Sequence, residues 1–187
     1  MKSLIVIAIS LFVCVALQAH PAPHSELLLR PSDAAISASL ILPLSELELA
    51  LKKPLPAKEK AFPLLRKYLA ERIHPESPDG KKWTVEIGDL ELKPDTRPIE
   101  SDSDPSNPHE HVLSHPRMVI AAALKFIPPP GELISKFNLE YTVIHHEVMS
   151  HRTYVLLAAP EGKEGSKVVE LIRSFNTTVS IDLTDSP

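Results

Sequence analysis

The run from Phe137 to Ala159, FNLEYTVIHHEVMSHRTYVLLAA, limits the choice of fold more than any other stretch of the chain. Phe137, Leu139, Tyr141 and Val143 alternate with Asn138, Glu140, Thr142 and Ile144, the period of a strand with one buried face. His145 continues the apolar face and His146 the other. At 23 residues the run far exceeds the roughly 5–6 residues of an ordinary strand, so a bend or hairpin is expected between Glu147 and Ser150. A turn centred on Val148 and Met149 would make His146 and His151 cross-strand neighbours able to share a ligand. A straight strand would send them to opposite faces. Val148-Met149 lacks the Gly or Asn that a tight turn prefers, so both geometries stay open at this level.

The rest of the chain is also patterned for strands. Ser25–Arg30 and Ala34–Leu42 are separated by the turn residues Pro31, Ser32 and Asp33. Ile36, Ala38, Leu40 and Leu42 form an alternating face. Pro43 ends this strand and opens a short amphipathic helix to Leu51, with Ser45 as its expected cap and Glu48 at capping-box spacing. Pro54 and Pro56 precede a longer helix, about 57 to 73, where Phe62, Leu65, Leu69 and Ile73 recur at helical spacing; Pro63 makes a start near Phe62 an alternative. His74 follows at the helix end. Trp83 to Ile87 and Leu90 to Lys93 are strand-like, with Trp83 as a core or sheet-edge anchor. Further strands are expected at Arg117–Ile127, Val168–Ile172 and Phe175–Leu183. No βαβ alternation and no glycine-rich phosphate loop occurs. The expected fold is mainly β: an antiparallel β-sandwich of immunoglobulin-like type, with a helical insertion about 44 to 74 and a polar loop about 95 to 116.

Composition narrows the function classes. A chain of 187 residues suits one well-buried domain. Nineteen prolines against five glycines favour short strands and stiff connections over long helices. A formal charge of −4 supplies no basic field for gathering nucleic acid or anionic lipid, so both partners are disfavoured. The one cysteine, Cys14, lies in an apolar N-terminal run, so the remaining chain has neither disulfide nor thiol chemistry.

Residues 1–19, MKSLIVIAISLFVCVALQA, combine an early lysine, an apolar run and a short polar exit, as a secretory signal peptide does. Cleavage after Ala19 would leave a single exported domain, residues 20–187, in the bacterial periplasm or outside the cell, with no integral membrane segment; the alternative is an uncleaved membrane anchor, for which the apolar run is short. The new N-terminal His20 would then offer an α-amine and an imidazole, a bidentate pair suited to Cu(II) or Ni(II). The plain alternative is a stiff, solvated leader.

His109, Glu110, His111 and His115 in the polar loop form a second histidine group, but Pro108 and Pro116 bracket it and no His-Glu-x-x-His motif is present. Three histidines within seven residues, His145, His146 and His151, exceed what packing requires. Imidazole suits copper, nickel or zinc. The metal candidates are therefore His146 and His151, with His20 as a third ligand and His109 and His111 as a fallback. Their ordinary reading is a pair of hydrogen-bonded sheet histidines. For catalysis the sequence offers little: Ser150 beside His151 is badly placed for a base and its nucleophile, no Gly-x-Ser-x-Gly elbow occurs, and Glu46 and Glu48 have the look of a solvated face. The chain is read as non-enzymatic.

Several segments in order carry a family resemblance. They are Ala19-His20-Pro21 with Ser25, Pro43-Leu44-Ser45-Glu46-Leu47, Tyr68-Leu69 through Ser77-Pro78-Asp79-Gly80-Lys81-Lys82-Trp83, Tyr141-Thr142-Val143-Ile144-His145-His146 with His151, and Leu171-Ile172-Arg173-Ser174-Phe175. Together they resemble the exported N-terminal region of bacterial HupE/UreJ-like membrane proteins. The resemblance implies a transition-metal link and a membrane-protein partner, since that family continues past the Arg-Ser-Phe segment into a membrane domain related to nickel permeases. Here only Asn176 to Pro187 follow, without an apolar run of about 20 residues. Permease activity is not carried over; the expectation is an ectodomain, free-standing or separated from its membrane portion. The alternative is a structural interaction module with no metal role.

Overall fold

A computed structural model describes residues 23–56, 58–97, 117–132, 134–160 and 162–184. The expected signal peptide, His20, and the loop histidines His109, His111 and His115 lie outside the described residues. The described chain is mainly β, with two sheets and two helices in a sandwich-like arrangement. In order it runs β1 (Ser25–Pro31), β2 (Ile36–Pro43), α1 (Leu44–Leu51), α2 (Lys58–Ala70), β3 (Ile73–Glu76), β4 (Thr84–Pro94), β5 (Met118–Ile127), β6 (Lys136–Tyr141), β7 (Arg152–Ala158), β8 (Ser166–Arg173) and β9 (Thr178–Asp182).

The larger sheet has six strands in the order β4-β5-β2-β1-β7-β8, and the smaller has three, β3-β6-β9. The alternation read from the sequence is what builds them. Leu27 and Leu29 of β1 and Ile36, Leu40 and Leu42 of β2 have no exposed surface, while Arg30 and Ser37 face outward. These residues join Leu139, Tyr141, Val179 and Ile181 of the small sheet in one apolar core. Phe137 of β6 bridges the layers: its ring stacks on Trp83 at 5.0 Å and meets Phe126 of β5 edge-on at 6.4 Å. Trp83 satisfies its indole N–H by donating to Ser77 Oγ at 2.7 Å.

One pairing departs from the expected all-antiparallel sandwich. β1 and β7 run parallel, Ser25 opposite Thr153 and Leu29 opposite Leu157, so the larger sheet is mixed. A parallel pair needs a long connection, and here residues 32–151 provide it. The run from Phe137 to Ala159 does bend, but it makes no hairpin. Its first half, β6, belongs to the small sheet and its second half, β7, to the large one, with residues 142–151 crossing between layers through successive turns.

Other local differences have simple causes. The two strands expected around Trp83 to Lys93 are one, β4, whose register slips between Ile87 and Leu90. The slip frees the Ile87 and Gly88 carbonyls, and the guanidinium of Arg66 on α2 donates to both. The Ser45 capping box is not formed. Pro43 precedes α1 without a side-chain cap, and Glu48 Oε1 accepts from the Leu55 amide at 2.8 Å, closing the next turn instead. α2 begins at Lys58 with Pro63 inside it, and His74 sits in β3 rather than at a helix end.

Because Phe137 is fully buried between Trp83 and Phe126, Phe137→Ala is expected to cost about 3–5 kcal/mol by loss of burial and cavity formation. Urea unfolding followed by the fluorescence of Trp83 measures this. A loss under about 1 kcal/mol would show that the two sheets do not depend on this contact.

Candidate functional site: a buried histidine joint

The crossover from β6 to β7 begins with a strained residue. Ile144 has φ 66, a left-handed conformation that a β-branched side chain adopts only when its surroundings impose it. Its side chain is completely buried, and its N–H donates to the Tyr68 hydroxyl at 2.9 Å, which ties the crossover to α2. The next residue, His145, is thereby turned inward and His146 outward.

His145 and His151 meet inside the protein, ring centroids 4.9 Å apart, with exposures of 2% and 1%. His151 has both nitrogens engaged. Nε2 lies 2.9 Å from Ser25 Oγ on β1, and Nδ1 contacts Glu46 Oε2 on α1. The two contacts together occupy both ring nitrogens, one toward a hydroxyl and one toward a carboxylate. Glu46 reaches the ring because it shares the buried face of α1 with Leu47 and Ala50. The solvated position expected for it is therefore wrong; its exposure is 7%. On the other side, His145 Nε2 lies 2.9 Å from Thr153 Oγ1, while His145 Nδ1 is buried without a hydrogen-bond partner.

The order serine, imidazole, carboxylate is that of a hydrolytic triad. Its setting is different. Ser25 has no exposed surface, and a nucleophile must be approached by a carbonyl to about 3 Å. As placed, the three groups satisfy one another and fasten β1, α1 and the end of the crossover at one point. Removing a single partner would strand the others, at about 1–3 kcal/mol per buried group left unpaired.

The two described metal candidates, His146 and His151, have different surroundings. His146 is exposed, packs 5.8 Å from the Tyr68 ring and directs Nδ1 at the Thr142 carbonyl, 3.1 Å away. Burial, then the charge of Arg72, lowers its pKa. His151 is interior with both nitrogens occupied, so the shared-ligand hairpin expected for His146 and His151 does not form. Among the described residues no three His, Cys, Asp or Glu side chains are grouped to hold a metal ion. Within this joint the unengaged imidazole nitrogens are His146 Nε2 at the surface and His145 Nδ1 inside. They do not fit the converging donor shell that copper, nickel or zinc requires.

Ser25, Glu46, His145 and Thr153 were not among the candidates the sequence offered. Their signal is faint: Glu46 stands next to Leu47 and four residues before Ala50, on the apolar stripe of α1, whereas its partner His151 is 105 residues away. No protein-family model matches the sequence, and no curated protein is significantly similar to it.

Burial of His145 makes the fold acid-sensitive. Burial, with His151 and His146 nearby, pushes His145 down to about 4 from an ordinary value of 6.5. Between those two values the unfolded chain binds a proton that the folded chain refuses. Stability from this residue is complete above pH 6.5 and drains away as the pH falls toward 4, by about 3 kcal/mol in all. Urea midpoints across this window should fall for the wild type and fall less for His145→Gln. Equal slopes would remove His145 as the cause.

Proposed function

We propose that this chain is an exported, non-catalytic docking domain, similar to the ectodomain of HupE/UreJ-like proteins, that engages a membrane partner. One observation carries the reading. Met149 in the crossover and Phe175 in the β8–β9 turn are 74% and 81% exposed, the two most exposed large apolar side chains among the described residues. They belong to one end of the molecule. Ser174 Oγ donates to the Met149 carbonyl at 2.8 Å and contacts the Val148 carbonyl at 3.3 Å, so turn and crossover are held together.

Exposed apolar side chains on turns bonded to one another mark contact surfaces more often than isolated ones do. The buried joint supports the reading from beneath, because it fixes the crossover on which Met149 sits and leaves Ser25 unreachable for chemistry. No helix among the described residues is long and apolar enough to cross a membrane. Coordination of copper, nickel or zinc forms no part of this proposal, since His146 and His151 do not converge.

The test is fractionation after export. The wild-type chain is expected to sediment with membranes, and Met149→Ser/Phe175→Ser to remain in the supernatant. The loss should be at least tenfold, from burial of about 1.5–3 kcal/mol per side chain. Both positions are exposed, so circular dichroism should be unchanged. Equal partition of the two proteins would defeat the docking reading.

A further inference from the structure

Two arginines border the exposed apolar end. Arg152, the first residue of β7, stands directly opposite Arg173, the last of β8, and both are exposed. Like charges opposite one another on neighbouring strands are unfavourable unless an anion lies between or above them. Among the described residues neither guanidinium has a carboxylate partner. The carboxylate of the crossover, Glu147, is taken by Lys52 at 2.9 Å, and Glu170 Oε1 accepts from the Leu171 amide at 2.9 Å. Arg173 instead lies over the Phe175 ring, 5.9 Å from its centroid, so charge and aromatic ring project together.

We propose that Arg152, Arg173, Phe175 and Met149 form an interfacial anchor that seats this end of the domain on an anionic lipid surface. The proposal rests on the docking reading and names the partner as the lipid itself. The exposure favours lipid over a protein groove-filler: Phe175 and Met149 project from turns with most of their surface in solvent. Phe and Met would enter the boundary between headgroups and acyl chains. The planar guanidiniums would each take phosphate oxygens in paired hydrogen bonds. The formal charge of −4 disfavours anionic lipid for the molecule as a whole, so contact would be confined to the end that carries Arg152 and Arg173, which also sets the orientation.

Sedimentation of the chain purified after export, with protein-free vesicles, tests the proposal. Vesicles containing phosphatidylcholine and phosphatidylglycerol in equal amounts should carry the wild type down; pure phosphatidylcholine should not. R152Q/R173Q should weaken binding roughly thirtyfold, each basic group contributing near the surface, and F175S roughly tenfold. Added salt should weaken the wild type far more than R152Q/R173Q. The double variant should also melt no lower than the wild type, because it removes a repulsive pair. Wild-type binding indifferent to phosphatidylglycerol, or unchanged in both variants, overturns the anchor. Binding to cellular membranes that disappears after protease treatment, with none to vesicles, also overturns it and assigns the surface to a membrane protein, leaving the docking reading intact. Binding to neither removes both.

Discussion

His151 occupies the point on which the packing of the other elements converges. One imidazole holds the hydroxyl that opens β1 and the carboxylate that opens α1, at the position where the chain enters β7. Neither partner could remain buried alone without a penalty of about 1–3 kcal/mol. Together they have no unmet hydrogen-bonding need at the ring. Buried polar groups arranged in this way specify geometry more than they add stability, because the same space filled by apolar side chains could be as stable. The geometry specified here is the meeting of a parallel strand pair, a helix and the crossover between sheets.

The crossover shows what that specification achieves. Ile144 adopts φ 66, an unfavourable backbone state for a β-branched residue, and its buried side chain and its bond to Tyr68 offset the strain. The result is a reversal of direction within two residues: His145 faces the core and His146 faces water. The same turns carry Met149 outward, and the Ser174 hydroxyl ties them to the turn that bears Phe175. Polar interior and apolar exterior are thus two sides of one short segment, and a change at the buried side would be felt at the exposed one.

Much of the sheet structure was legible in the sequence, because alternation is local. Ile36, Ala38, Leu40 and Leu42 declare a buried face without reference to any partner. The same logic found the strands in the Phe137–Ala159 run but could not divide them between sheets, since the period of two says nothing about which neighbour pairs. The parallel β1–β7 match was hidden for that reason. The candidate site was less legible still. His151 was singled out by its crowding with His145 and His146, yet its actual partners, Ser25 and Glu46, are 126 and 105 residues away. Glu46 in particular has the composition of a surface position and the placement of a core one, and only its apolar neighbours on α1 separate the two.

The parallel pairing of β1 with β7 has a consequence for the order of assembly. The first described strand is far in sequence from the strand that must lie beside it, and its serine meets its histidine across 126 residues. β1 and β2 can pair early as neighbours, but the sheet is interrupted beside β1 until residues 152–158 arrive. Closure of so distant a contact is slow relative to local pairing, since the intervening chain loses entropy before the contact rewards it. During that interval β1 presents an open, apolar edge, the feature most prone to pair with another chain. The folding of this molecule is therefore a race between its own seventh strand and its neighbours.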